Sequence, residues 1–486
     1  MSTIKEKRKP KTPGRASPDK VIADIAAYVD GHKVKSELAL INAHYCLIDT
    51  LGCALMALAY PECTKLLGPT FRGVTVSEGA RVPGTSYVLD PVQAVFSFCT
   101  MVRWLEFNDA TWGETVNHPS DTFGAILVVA DWLSRARVAE GKPPLTVGDV
   151  FELAVKAYDI QGELGIENPF RRWGFDHTIV VKIAATAVLT KLLGGNYQEI
   201  FNAVSNAWLD GPVLATFRSV HNTGSRKSWA GADATSRGLW LASLALKGEM
   251  GYPNALTAKT WGFYDVLFKG QAFTFQRPYG SYIIENILFK IPHPTGFHAQ
   301  SAVEAATLLH PLVKDRIDEI KAVEIWSHAS CMAILDKRGP LDNPADRDHS
   351  LQYTTAIGLL HGRLRPEHFE DSIARDPRVD SLRNKMTVME DKRYTKGYSD
   401  PKRLSNAHAM RVHFTDGTKT ERVEVEFPMG HPRRRGVGIS VLKTKFEDSV
   451  RTVFAAKQAQ AICDVCFDRK RLMSLPVNAL FDLLVK

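Results

Sequence analysis

Between Trp104 and Asp121 the chain concentrates groups able to move protons or grip an anion: Glu106, Asn108, Asp109, Thr111, Glu114, Asn117, His118, Ser120 and Asp121. An imidazole titrates near neutrality and a carboxylate beside it sets its tautomer, so His118 with Asp109 is a candidate acid–base pair. Apolar helical stretches flank the segment, one ending near Leu105 and the other running from Phe123 to Trp132. Ser120 or Asp121 is a natural N-cap for the second, which would aim free amides back toward His118 and favour an anion there. The competing reading is a polar interhelical loop whose acids only cap and solvate. Composition alone does not separate the two.

Four further clusters add the same groups: Arg171-Arg-Trp-Gly-Phe-Asp176-His177, Asn222-Thr-Gly-Ser-Arg226-Lys227-Ser228, Arg277 to Lys290 and on to His293 and His298, and Asn343-Pro-Ala-Asp346-Arg347-Asp348-His349. Each alone reads as a surface loop. Together they supply imidazoles as proton carriers and cations as carboxylate clamps. None has nucleophile-elbow, P-loop or dinucleotide spacing. Cys463-Asp-Val-Cys466, with a remote third cysteine, offers an iron–sulfur reading. Two cysteines three apart on a helix are more simply two small buried hydrophobes.

Helical periodicity dominates the elements that must position these groups. Val21, Ile22, Ile25 and Val29 recur at helical spacing, and 37–58 is apolar on most faces, as a buried helix is. Thr146 and Asp149 have capping-box spacing before a helix to about Gly162. Further helices are predicted over 179–193, 197–208, 230–248 and 299–311, and no strand–helix alternation points to a doubly wound sheet. The texture changes after about residue 286: 320–326 reads as a strand, and 410–427 as a hairpin around Asp416-Gly417. Helix returns from about 437. The expected fold is mainly α, with a disordered basic tail (1–20), a large helical domain (21–285), a smaller α+β lid domain (286–436) and C-terminal helices (437–486) returning to the first domain.

The 486 residues are 45% hydrophobic and 23% charged, an ordinary globular mixture. Of the +8 formal charge, +5 lies in residues 1–20, which leaves +3 for the rest and little support for a nucleic-acid-binding face. The most apolar run, 43–60, is interrupted by His44 and Asp49, so no membrane span is expected. The N-terminus has no apolar h-region. It is Lys- and Pro-rich and contains Glu6, which fits a cytoplasmic chain with a solvated arm, a mitochondrial presequence being the alternative. Seven cysteines, an odd number, are expected to be reduced thiols.

The segments AHYCLIDTLGCAL, RWLEFND…HPSDTFGAILVVADWLSR, DHTIVVKIAATAV, NTGSRKSWAGADATSR, GEMGYPNALTA, FQRPYGSYIIENILFK, GPLDNPADRDH and PMGHPRRR occur in one order along the chain. In this series the chain resembles the MmgE/PrpD family, nearest the branch that dehydrates 2-methylcitrate. The resemblance implies an all-helical domain with an α+β lid, a homodimer, and a site between the two that works without cofactor, metal or iron–sulfur cluster. Carried over by position, it implies Asp109, His118 and His177 as catalytic groups and Lys227, Lys290 and His298 beside them. Glu106, Thr111, Ser120, Arg226 and Arg277 complete the expected substrate contacts.

One stretch departs from that branch. Where it typically reads D-F-N-D-T-W-L-A-A-E-W-G-H-P-S-D-N, this chain has Glu106 in place of Asp, Thr111-Trp112 displaced by one residue, a different stretch up to His118, and Thr122 in place of Asn. The expected reaction is loss of water from 2-methylcitrate or a larger 2-alkylcitrate, giving the 2-alkyl-cis-aconitate. The alternatives are a cis-aconitate-type decarboxylase or a binding relative weakened by the altered loop. No nucleic-acid or membrane partner is expected.

Overall fold

The structure is a computed structural model that describes residues 17–219 and 222–485. Most of the tail expected over 1–20 therefore lies outside the described residues. The chain is mainly helical, and two hydrophobic cores organise it.

The first core is built by α1 (Lys20–Gly31), α2 (Glu37–Ala57), α3 (Pro91–Arg103), α4 (Ser120–Ala139), α5 (Val147–Glu167), α6 (Thr178–Leu192), α7 (Tyr197–Leu209) and α8 (Arg226–Leu246). Helix α2 is long and apolar enough to cross a membrane by length and composition, but its residues pack inside the protein. The two polar residues that interrupt it each find a partner there. His44 Nε2 meets the Cys466 carbonyl at 2.6 Å, and Asp49 pairs with Lys445 at 2.7 Å. The capping box at the start of α5 is present, with Thr146 bonded to the Asp149 amide and the Asp149 carboxylate to the Thr146 amide. Helix α6 packs on α8 and α5, which places the segment preceding α6 against the one preceding α8.

The second core lies under α9 (Gln300–Val313), a four-stranded mixed sheet, and α10 (Leu351–His361). The strands are β1 (Ile320–Ser327), β2 (Met386–Glu390), β3 (His408–Phe414) and β4 (Val423–Val425), in the order β2-β1-β3-β4. Only the β1–β2 pair is parallel. Helix α11 (Lys392–Ser399) follows β2. The Asp-Gly signal is placed correctly: Gly417 has φ +85° in the β3–β4 connection. Beyond the sheet, α12 (Arg435–Arg451) and α13 (Ala456–Phe467) return to the first core, α12 packing on α2.

Candidate active site

A cavity of about 490 Å³ opens between the two cores. Arg103, Glu106, Thr111, His118, Arg171, His177, Arg218 and Arg277 line it from one side, and His298, Leu335, His349 and Tyr398 from the other. Two of the three expected catalytic residues, with Glu106, Thr111, Arg277 and His298, therefore share one cleft.

The loop between α3 and α4 is folded by its own polar groups. Asn108 receives a hydrogen bond from Arg103 (3.1 Å) and donates to Ser120 Oγ (2.9 Å). Ser120 Oγ (2.7 Å) and its amide (3.2 Å) both donate to Asp109 Oδ1, and the Tyr158 hydroxyl donates to Asp109 Oδ2 at 2.5 Å. Residue 119 is the N-cap of α4, and neither Ser120 nor Asp121 caps it with its side chain. The carboxylate of Asp109 takes the first amide instead, so that amide is not free to face an anion in the cavity. Asp109 and Ser120 lie behind the cavity wall. Burial raises the Asp109 carboxyl to about 6.

Asp109 holds His118 through its backbone: His118 Nδ1 lies 2.6 Å from the Asp109 carbonyl oxygen. A carbonyl can only accept, so Nδ1 carries the proton and Nε2 presents a lone pair. Burial, then the cations Arg103 and Lys290, hold the imidazole well below its usual pKa. His118 is thus neutral and unprotonated at Nε2, which lies 3.8 Å from Glu106 Oε1.

His177 precedes α6, and its ring meets that of His118 edge-on at 5.2 Å. The segment is pinned by an Asp176 amide bond to the Val213 carbonyl (2.7 Å) and by bridge pairing of Phe175 with Leu214. Asp176, buried, is kept ionised against the cost of burial by Arg218, which it pairs with directly, and by the Thr178 amide. His177 Nδ1 lies 3.5 Å from Asp176 Oδ1, and its buried Nε2 has no hydrogen-bond partner among the described residues. Burial lowers His177 to about 3.

Glu106 sits beneath this pair with φ +51°, a left-handed backbone that is uncommon outside glycine. Its two oxygens bind Arg103 Nη2 (2.7 Å) and Lys290 Nζ (2.5 Å), and these cations keep it charged despite full burial. Lys290 is placed by backbone bonds of the two residues before it: Leu288 exchanges both backbone bonds with Ala110, and Phe289 N donates to the Gly430 carbonyl. Burial lowers Lys290 to about 8. Its amine is spent on Glu106 and does not line the cavity.

Lys227, in the first turn of α8, is also buried and reaches across to Asp348, the Ala345 carbonyl (2.9 Å) and His349 Nδ1 (3.1 Å). It positions His349, which lines the cavity. His298 Nε2 and the Tyr398 hydroxyl are hydrogen-bonded at 3.0 Å, and burial keeps that phenol protonated. Arg277 donates to Glu163 at 2.9 Å and covers the Tyr282 ring. Arg226 is not brought to the site: it pairs with Asp233 (3.1 Å) and stacks on Trp229. Helix α8 begins at 226 rather than 230, which turns Arg226 and Lys227 in different directions.

Sequence reasoning singled out the segments of Arg103, Asp176 and His349 but not their roles, and it passed over Arg218 and Tyr398 altogether. For Arg103 the only signal was its place at the end of an otherwise apolar helix. Among the described residues one group, His328, Cys331 and His408, has ligand atoms within 4.8 Å of one another. Its rings are already hydrogen-bonded, His328 to Asn406 Oδ1 (2.9 Å) and the Cys331 amide, His408 to Ser327 Oγ (2.9 Å) and the Asn406 carbonyl. A metal would have to displace those bonds. Cys463 and Cys466 lie buried on α13, outside that group.

Comparison with known proteins places the chain. Family models described as the MmgE/PrpD N-terminal and C-terminal domains match residues 23–276 and 293–469. The chain is 52% identical to the 2-methylcitrate dehydratase of Cupriavidus necator over 96% of its length and 98% of that protein. It is 52% identical to the 2-methylcitrate dehydratase of Escherichia coli (strain K12), over 96% of this chain and 97% of the other. With the mitochondrial 2-methylcitrate dehydratase of Yarrowia lipolytica identity is 46%, covering 97% and 91%. With both domain models matched in order across one cleft, the chain belongs to the MmgE/PrpD family.

Proposed function

We propose that the chain is a hydro-lyase that removes water from 2-methylcitrate or a larger 2-alkylcitrate to give the 2-alkyl-cis-aconitate. The observation that carries this reading is the meeting of two neutral imidazoles, 5.2 Å apart, in an arginine-lined cleft, in a chain half identical to named dehydratases over nearly its whole length. The substrate is a small tricarboxylate. The division into a helical domain and an α+β lid, with the last helices rejoining the first, follows the two cores.

Elimination needs a base for the C–H proton, an acid for the departing hydroxyl, and positive charge around three carboxylates. His118 Nε2, with its tautomer fixed by the Asp109 carbonyl, takes the proton. The C–H electron pair becomes the double bond as the C–O bond breaks. His177 supplies the proton that turns hydroxide into water. Asp176 and the bound carboxylates favour its imidazolium, which the empty site disfavours. One proton is gained and one lost, so the pair resets when a proton passes from His118 to His177. Glu106, Lys290, Lys227, Ser120 and the Asp109 side chain position these groups. Thr111, Arg277 and His298 face the substrate.

The test is turnover by chelator-treated protein on citrate, 2-methylcitrate and longer 2-alkylcitrates, followed through the conjugated alkene, with cis-aconitate as a separate arm. Alkene from an alkylcitrate is expected. Itaconate from cis-aconitate without any dehydration would replace this reading by decarboxylation.

A further inference from the structure

The cations around the cleft differ in whether they are already used. Arg103 binds Glu106, Arg172 binds Glu114 (2.9 Å), Arg218 binds Asp176 and Arg277 binds Glu163. Lys227 and Lys290 are spent on Asp348 and Glu106. Arg171 lines the same cavity and, among the described residues, has no carboxylate within ion-pair distance and no side-chain hydrogen bond. Asp176, five residues on, is already taken: it receives Arg218 on both oxygens and the Thr178 amide on one. Arg171 and Arg218 repel one another at the cavity, and that repulsion is relieved when an anion arrives.

The backbone fixes where the Arg171 side chain starts. It belongs to the single 3-10 turn Phe170–Trp173, closed by the Gly174 amide on the Arg171 carbonyl (3.0 Å) and the Phe175 amide on the Phe170 carbonyl (3.0 Å). Gly174 leaves the turn at φ +89°, which a side chain would strain. Its carbonyl is tied to Ala215 N at 2.8 Å. Three residues on stands His177. One short, internally bonded segment thus carries both an uncommitted guanidinium and a catalytic imidazole, while the neighbouring Arg172 turns out to Glu114.

We infer that Arg171 is the anchor for one substrate carboxylate, holding it by a forked pair of hydrogen bonds and so fixing which carbon lies beside His177. A planar guanidinium matches a carboxylate edge to edge, which a lysine cannot. This rests on the dehydratase reading of the site, and Arg171 is a substrate-binding residue within it.

The experiment uses full-length protein and ligands that cannot be dehydrated. Binding of propane-1,2,3-tricarboxylate, glutarate (lacking the central carboxylate) and methylsuccinate (lacking a terminal one) is measured by calorimetry for wild type, Arg171→Ala, Arg171→Lys and the control Arg172→Ala. Loss of one charge-assisted carboxylate contact weakens binding roughly 10- to 100-fold. The expected result is that loss for the triacid and for one diacid in Arg171→Ala, little change for the diacid that lacks the anchored group, partial recovery in Arg171→Lys, and near-wild-type binding in Arg172→Ala. In turnover, KM rises more than kcat falls. Unchanged triacid affinity in Arg171→Ala, or an equal loss for all three acids, overturns the assignment. If wild type binds the triacid in this Arg171-dependent way but dehydrates no alkylcitrate, the proposed function fails and the anchor stands.

Discussion

Replacing Lys290 with methionine removes one of the two cations that hold Glu106 while keeping the length and apolar stem of the side chain. Glu106 is 2% exposed and Lys290 fully buried, so the lost 2.5 Å pair is not replaced by water. Breaking a buried ion pair from one side costs about 3–5 kcal/mol. Glu106 keeps Arg103 at 2.7 Å, which places the expected cost near the lower end, about 3 kcal/mol. The same substitution acts on the chemistry. Lys290 is one of the charges that hold His118 below its usual pKa, so its loss lets that pKa rise. The base must be neutral, and the acid limb of kcat/KM therefore moves to higher pH. Urea unfolding and a pH–rate profile on 2-methylcitrate measure the two effects, and the Lys290→Met/Glu106→Gln double mutant should be less destabilised than the sum of the singles, with coupling of about 1–3 kcal/mol. Additive singles with an unmoved acid limb would refute the network as described.

Three further outcomes follow from the same geometry. Burial raises Asp109 to about 6 and Asp121, whose oxygens lack partners among the described residues, to about 7. Between the unfolded carboxyl pKa and those values the native state binds more protons, so stability falls as pH rises from about 4 to 7, and Asp121→Asn should flatten that slope in unfolding midpoints. Asp109→Asn leaves the carbonyl that holds His118 but disturbs two bonds at the start of α4 and one from Tyr158 on α5. A stability loss of about 1–3 kcal/mol is expected, with kcat falling less than in a His118 variant. Gly430→Ala would drive a methyl into the Phe289 carbonyl next to Lys290, lowering both the unfolding midpoint and activity by overpacking, about 1–3 kcal/mol in stability.

Much of the fold is legible in the sequence because its signals are local. The Thr146–Asp149 box, the apolar periodicity of α2 and the Asp-Gly turn each depend on a few neighbouring residues. Strand β2 was not legible: Met386–Glu390 follows a charged helix and is only five residues long, too short for its alternation to stand out before its parallel pairing with β1 is seen. The site was legible as segments, with His118 and His177 both reaching the cleft. The roles of Asp109 and Ser120 were not, because the bond that matters comes from a backbone carbonyl rather than a carboxylate. Arg226 was misplaced because helix α8 starts one turn earlier than its apolar pattern indicates. Arg103 escaped because a buried arginine is recognisable only by the acid it meets, here Glu106.

The central claim is that His118 and His177 together move the protons of the elimination. Its most direct test is turnover of 2-methylcitrate by chelator-treated His118→Gln and His177→Gln proteins beside wild type, with unfolding midpoints measured on the same samples. The account predicts that each loses roughly 10²- to 10⁴-fold in kcat while remaining folded. A folded variant of either that turns over at close to the wild-type rate would contradict it.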